Sequence, residues 1–138
     1  MSALEEVDGS SWVGACELWL DPFGNDVVRS DCSLSIDGSK LAYQWSHEGK
    51  SQQGSITLDE QGAQFTDTFH ATEPMHCRAL TDARGLFQVL GVYGPDSDWG
   101  WRIGASIRSP TGELVVQMTN IAPWGEEVRA VRMTLKRQ

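Results

Sequence analysis

A closed antiparallel β-barrel is the fold class that this 138-residue chain predicts, and three observations carry that expectation. Polar, Gly-bearing breaks such as DPFGND, DGSK, DEQG and SPTGE divide the chain into short strand-like runs. Strands spaced this closely, with no helix-sized amphipathic segment between them, pair as hairpins and not as βαβ units. All the prolines, Pro22, Pro74, Pro95, Pro110 and Pro123, fall between the runs, as expected of a residue that cannot donate a ladder hydrogen bond.

Taken in order, strands are expected at 12–20, 27–36, 41–47, 52–58 and 63–70, and then at 75–81, 86–94, 99–108, 114–121 and 128–136. Gly24, Gly38, Gly62, Gly85, Gly112 and Gly125 sit where tight reversals ask for a backbone that other residues resist. An open sheet of this many strands leaves two unpaired edges, and pairing the first strand with the last removes both. The opening residues 1–10, with Glu and Ala before a Gly, are expected to form a short helix that plugs one end.

Alternation assigns the faces. Around a turn at 122–127, Val116, Met118 and Asn120 should share a face with Met133, Val131 and Arg129, while Gln117 and Thr119 share the other with Arg132 and Ala130. The first face is apolar and belongs inside a simple soluble barrel, although ligand-holding barrels also line their interiors with polar groups, so both assignments stay open here. In the fifth strand Ala63, Phe65, Asp67 and Phe69 alternate with Gln64, Thr66, Thr68 and His70, which points Phe65 and Phe69 inward. Both faces of the first strand are largely apolar, which calls for a cover from the N-terminal segment or from a second copy in a homodimer.

Composition bounds the function classes. The length suits a single domain over 1–138, large enough to bury roughly two-thirds of its unfolded surface. A net charge of −8 opposes binding to nucleic acid or to anionic lipid. No apolar run reaches the length of a membrane helix, and MSALEEVDGS lacks the basic start and apolar core of a signal peptide, so a cytoplasmic location is expected. Three cysteines fit reduced thiols, with Cys16 and Cys32 placed as possible neighbours across the first hairpin.

Six tryptophans are many for this length, and Trp45 and Trp101 are the candidates for aromatic walls around a pocket. Arg102, flanked on its own face by Gly100 and Gly104, has room to lie flat against a ligand and to offer a planar fork to a carboxylate. An arginine paired with a surface acid is the competing role.

The strand plan resembles the calycin barrels, that is lipocalins, fatty-acid-binding proteins and bacterial lipocalin-like proteins. Gly9-Ser10-Ser11-Trp12 is similar to the Gly-x-Trp opening of lipocalins, which implies that Trp12 packs beneath an arginine, Arg129 or Arg132. Arg102 and Arg132 look similar in placement to the arginines that hold a carboxylate in fatty-acid-binding proteins. The resemblance implies a small hydrophobic or amphipathic ligand, apolar or anionic; taken with the reading of the residues, the ligand-binding candidates are Trp45, Phe65, His76, Trp101, Arg102, Met118 and Arg132. A short turn stands where fatty-acid-binding proteins carry a helical lid, which implies an open mouth.

Chemistry is thinner. His47, His70 and His76 do not assemble a zinc site, because a turn at 71–74 would put His70 and His76 on opposite faces. No cofactor is expected; haem is the lesser alternative, with His76 as axial ligand and Met75 and Met118 behind it. Cys77 adjoins His76 but points to the other face, so the two make no nucleophilic dyad. Among the strand acids Glu17, Asp31 and Asp67, one facing a dry interior would have the perturbed acidity a lyase or isomerase needs. Ligand binding is therefore the leading expectation, with a barrel enzyme, a haem barrel and a ligand-free interaction module as alternatives.

Overall fold

The computed structural model describes residues 4–138. After a 3-10 turn at Glu5–Val7 come ten strands: β1 Ser11–Trp19, β2 Val27–Asp37, β3 Lys40–His47, β4 Lys50–Leu58, β5 Gly62–Asp67, β6 Ala71–Ala79, β7 Phe87–Tyr93, β8 Trp99–Ile107, β9 Leu114–Ile121 and β10 Glu127–Arg137. Each strand pairs antiparallel with its sequence neighbour, and β1 pairs with β10, so the sheet closes on itself. This is the up-and-down barrel that the turn rhythm predicts. Closure runs from Trp12 opposite Arg137 to Leu18 opposite Val131. The two strands meet so closely at Gly14 that an added Cβ would lie 1.9 Å from the carbonyl oxygen of Thr134.

Alternation decides which side chains fill the barrel. Trp12, Cys16 and Leu18 of β1, Leu41, Tyr43 and Trp45 of β3, Ala63, Phe65 and Asp67 of β5, and Trp101, Ile103 and Ala105 of β8 are buried while their neighbours face out. The open question on the late strands resolves in favour of the simple assignment. Val116 and Met118 of β9 and Val131 and Met133 of β10 are buried, and Gln117 is exposed. Burying apolar surface at about 25 cal/mol per Å² is what drives this sorting.

Three sequence expectations shift. The β9–β10 register holds from Leu114 opposite Leu135 to Met118 opposite Val131, then slips at a bulge between Arg129 and Val131. The extra residue, Ala130, turns inward and Arg129 turns out, the reverse of the expected faces. The β5–β6 reversal is shorter and earlier than expected: β5 ends at Asp67 and β6 starts at Ala71, with Pro74 inside β6. Proline is tolerated there because β6 pairs with β7 only at Cys77, Arg78 and Ala79, which leaves the N-terminal half of β6 as a local edge. Finally, the first hairpin's register is offset by one from the expected one, with Cys16 opposite Ser30 and Cys32 opposite Gly14; the two cysteines are still neighbours, diagonally, on the inner face, and are free thiols as expected.

The two ends differ. At one, Leu4 and Val7 of the 3-10 turn join the core, and Trp12 donates its indole N–H to Ser10 Oγ at 2.8 Å. In place of the short helix expected over 1–10, the described residues hold a single 3-10 turn at Glu5–Val7, whose Val7, with Leu4 before it, joins the core; residues 1–3 lie outside the described region. The arginine above Trp12 is Arg137, 5.9 Å from the ring centroid, and neither Arg129 nor Arg132. The opposite end, ringed by the turns after β1, β3, β5, β7 and β9, forms the mouth.

Candidate functional site

The site grows from one row of residues across three strands. Tyr43 of β3 stands opposite Gly54 of β4, which stands opposite Asp67 of β5. Because Gly54 has no side chain, the Tyr43 phenol lies across it and donates a 2.5 Å hydrogen bond to Asp67 Oδ2. A Cβ on Gly54 would sit 2.2 Å from the phenol oxygen. The other carboxylate oxygen accepts the backbone N–H groups of Phe69 at 2.7 Å and His70 at 3.0 Å. That Asx-type turn reverses the chain within 68–70 and folds the His70 ring back over Asp67, with Nδ1 3.4 Å from Oδ1. Oδ1 is already occupied by two backbone donors, and His70 Nδ1 is buried without a hydrogen-bond partner.

Asp67 is only 2% exposed. Burial alone would raise its pKa, but the contacts from His70 and the Tyr43 hydroxyl outweigh that and hold the carboxyl below its ordinary value. Tyr43 moves the other way, well above the ordinary phenol, because it is buried and faces the Asp67 charge. At neutral pH the pair is therefore a carboxylate with a phenol donor. Burial pushes the thiols of Cys16 and Cys32 up to about 12 and that of Cys77 to about 11, which disfavours the nucleophilic thiolate.

Around His70 the barrel mouth is aromatic. Its ring centroid lies 4.8 Å from Phe69, 5.2 Å from Trp101 and 6.0 Å from Trp45. Phe65 stacks under Trp101 at 6.2 Å and 16°. Of these rings His70, Phe69 and Trp101 border a cavity of about 820 Å³, completed by Tyr93 and Asn120 from β7 and β9 and by Trp19 and Arg129 at the rim. Tyr93 donates its hydroxyl to Asn120 Oδ1, while Arg129 lies 4.6 Å over Trp19 and donates Nε–H to the Gly24 carbonyl at 3.1 Å. Met75, Pro74 and Val92 also line it, where β6 parts from β7, so the cavity opens sideways as well as at the mouth. Gly91 makes room for Met75 there, since a Cβ on it would lie 2.5 Å from Met75 Sδ. Two indole N–H groups of the lining, Trp101 Nε1 and Trp19 Nε1, are buried without a hydrogen-bond partner.

A second concavity of about 920 Å³ lies on the outside of the barrel. Its side walls are two outward rows, Ser33, Gln44 and Gln53 on one side and Ser35, Ser55 and Thr66 on the other. It is larger and reaches Trp12, Tyr43 and Asp67, but its walls are mostly small polar side chains and none of its lining residues holds an unpartnered buried donor, so the mouth, with its cluster of rings, is the candidate site.

The residues expected to form a site separate into two groups. Trp45, Phe65, Trp101 and Met118 all face the interior, with Trp101 on the cavity wall and Trp45 and Phe65 backing it. His76, Arg102 and Arg132 face out. His76 is exposed and bonded to Gln64 at 2.8 Å, Arg102 is ion-paired with Glu127, and Arg132 is level with Glu17 and Gln117 on the outer surface. Of the haem ligands considered, His76 therefore lies outside the wall, whereas Met118 is buried within it.

His70, Tyr43, Phe69, Tyr93 and Asn120 were not singled out as site residues. The sequence did hold a signal for His70, the Asp-Thr-Phe-His run with its Asx-turn chemistry. Among the described residues, no helix is long and apolar enough to cross a membrane, and no group of three His, Cys, Asp or Glu side chains is placed to hold a metal. No family model matches the chain, and no curated protein or solved structure matches it either.

Proposed function

We propose that the protein binds a small, flat, mostly apolar molecule with at least one hydrogen-bond acceptor in the mouth of its barrel. The observation that carries this reading is the Trp101 indole N–H, buried and unpartnered in an aromatic wall. A buried donor left without a partner costs about 1–3 kcal/mol, which a ligand acceptor recovers once the ring turns that N–H, closed off in this structure, into the cavity. The volume of the cavity falls in the range of small-molecule sites, ~300–1,000 Å³. The surrounding rings offer broad faces that suit a planar ligand.

The charge distribution refines the ligand class. The Asp67 carboxylate lies in the wall behind His70, so the depth of the cavity favours a neutral group. An anionic head would be accommodated at the rim, beside Arg129, and not by Arg102, whose guanidinium is engaged outside. Trp12 beneath Arg137 at the plugged end supports a calycin-like reading of the barrel, a class built to carry ligands at the other end.

Native mass spectrometry of the protein as purified from cells, set against its denatured mass, tests the proposal without choosing a ligand. Extra mass of a small apolar compound, lost on denaturation and in the Trp101→Phe variant, is the expected result. A Soret band in the accompanying absorbance spectrum would overturn the reading in favour of haem.

A further inference from the structure

We infer that the rim of the barrel mouth is a docking surface for another protein, and that the segment it receives is apolar and positively charged. This goes beyond the ligand proposed above, because it concerns the rim and stands whether or not the cavity is filled.

The exposed apolar side chains of the barrel are not scattered. Among the described residues, every large apolar side chain exposed to solvent except Val13 lies at the mouth. Leu20 and Phe23 belong to the turn after β1, and Val27 and Val28 open β2. Phe69, Val92 and Trp124 come from the turn after β5, the end of β7 and the turn after β9. Leu20, Phe69 and Val92 border the same cavity, so the apolar side chains surround one opening. At the plugged end, the turns at 38–39, 59–61, 80–86 and 108–113 expose no large apolar side chain. Apolar surface gathered in this way marks an interaction site, whereas single exposed residues do not.

Two of these residues are built as anchors. Phe23 is 70% exposed and Trp124 72%. The Trp124 ring meets Trp99 edge to face at 5.7 Å, and its N–H donates to Glu126 Oε1 at 3.0 Å. The turn that carries Phe23 is tied to β10 by the Arg129 Nε–H bond to the Gly24 carbonyl. An exposed ring already held in place loses little freedom when a partner covers it.

Charge selects the occupant. The mouth turns at 20–26, 48–49, 68–70, 94–98 and 122–126 carry Asp21, Asp26, Glu48, Asp96, Asp98 and Glu126 and no Lys or Arg. Of the neighbouring cations, Arg129 lies over Trp19 and Arg102 is paired with Glu127. An anionic lipid surface would be repelled by such a rim. A second copy would bring the same acids face to face. An apolar segment bearing Lys or Arg meets both the rings and the charge, and the acids would steer it in.

The probe is the fluorescein-labelled peptide KLLKLLKKLLKL, titrated with the full-length protein and followed by fluorescence anisotropy. Wild-type protein should bind it saturably, less tightly as NaCl is raised, and should not bind ELLELLEELLEL. Phe23→Ser and Trp124→Ser should each weaken binding by about tenfold or more, as truncation of an aromatic anchor does, with the urea midpoint unchanged because both side chains are exposed. Val13→Ser, away from the mouth, should bind as wild type does. Replacing Asp26, Asp96 and Asp98 together by Asn should weaken binding and flatten its salt dependence. No binding of the lysine peptide, equal binding of the glutamate peptide, or Phe23→Ser and Trp124→Ser variants that bind like wild type would each overturn the inference. So would co-sedimentation of the protein with phosphatidylcholine vesicles, which assigns the rim to lipid, or a dimer in sedimentation velocity that Trp124→Ser abolishes, which assigns it to a second copy.

Discussion

Gly54→Ala should destabilise the barrel far more than a glycine-to-alanine change in a strand ordinarily does. Its backbone is not among those with positive φ, so alanine suits the conformation and would by itself gain about 0.5–1 kcal/mol. Against that, the new Cβ would stand 2.2 Å from the Tyr43 hydroxyl oxygen and 2.3 Å from the ring carbon that bears it. The phenol must move, and its bond to the Asp67 carboxylate goes with it. A hydrogen bond to a charged group contributes about 1.5–3 kcal/mol, and forcing extra volume into a packed interior costs about 1–3 kcal/mol. The net expectation is a loss of about 2–5 kcal/mol. Urea denaturation followed by tryptophan fluorescence reads this as a lower midpoint with an unchanged slope.

Gly104→Ala is the matching control. Its Cβ would meet nothing closer than Gln88 Cγ at 3.4 Å, so that variant should be neutral or up to about 1 kcal/mol more stable. In a Tyr43→Phe background, where the bond is already gone, Gly54→Ala should cost at least about 1 kcal/mol less than in wild type. A Gly54→Ala protein within about 0.5 kcal/mol of wild type, the ordinary range for an inconsequential substitution, would refute the claim that this glycine exists to let Tyr43 reach Asp67.

Three further outcomes follow from the same structure. The Asp67 carboxyl is lowered by folding, so the stability it contributes is complete above the unfolded carboxylate value near 3.8 and is lost as pH falls through the folded value. The stability gap between wild type and Asp67→Asn should accordingly shrink below that pH. Asp21, lowered by the backbone N–H groups of Asp26, Asn25 and Phe23, titrates in both proteins and cancels. The buried thiols of Cys16, Cys32 and Cys77 should be unreactive toward a disulfide reagent at neutral pH in the folded protein and should all react once it is unfolded; prompt labelling of the native state would contradict their burial. Arg102→Ala, which removes a surface partner of Glu127, should change stability by no more than about 1 kcal/mol and leave ligand affinity unchanged in a fluorescence titration.

The fold was largely legible because two independent signals agree in this chain. Glycine and proline mark the reversals, and alternation within each run marks the faces. Even the inward direction of Asp67 could be read, from its place in the Ala63, Phe65, Asp67 series. What failed was local. Pro74 looked like a turn residue because proline usually stays out of strands, and only the limited pairing of β6 with β7 makes its place in β6 intelligible.

That one displaced reversal hid the site. With the turn set at 71–74, His70 belonged to a strand and had no reason to meet Asp67; with the reversal at 68–70 it folds back over the carboxylate. The Ala130 bulge was equally silent, since a one-residue slip leaves no mark in composition while it exchanges the faces of Ala130 and Arg129. Arg102 and Arg132 drew attention as arginines on late strands, but alternation alone does not say which face is the inside until the whole barrel is closed.

The indole N–H resonance of Trp101 gives the most direct measurement of the central claim, that the barrel mouth holds a flat apolar ligand through that donor. It can be assigned in a ¹⁵N–¹H spectrum by its loss in Trp101→Phe and then followed through a titration with 2-tetralone, a flat bicyclic ketone. A saturable shift at Trp101 is expected, while Trp12, which donates to Ser10 at the plugged end, stays where it is. A Trp101 resonance that does not move at ligand concentrations that shift other residues would contradict it.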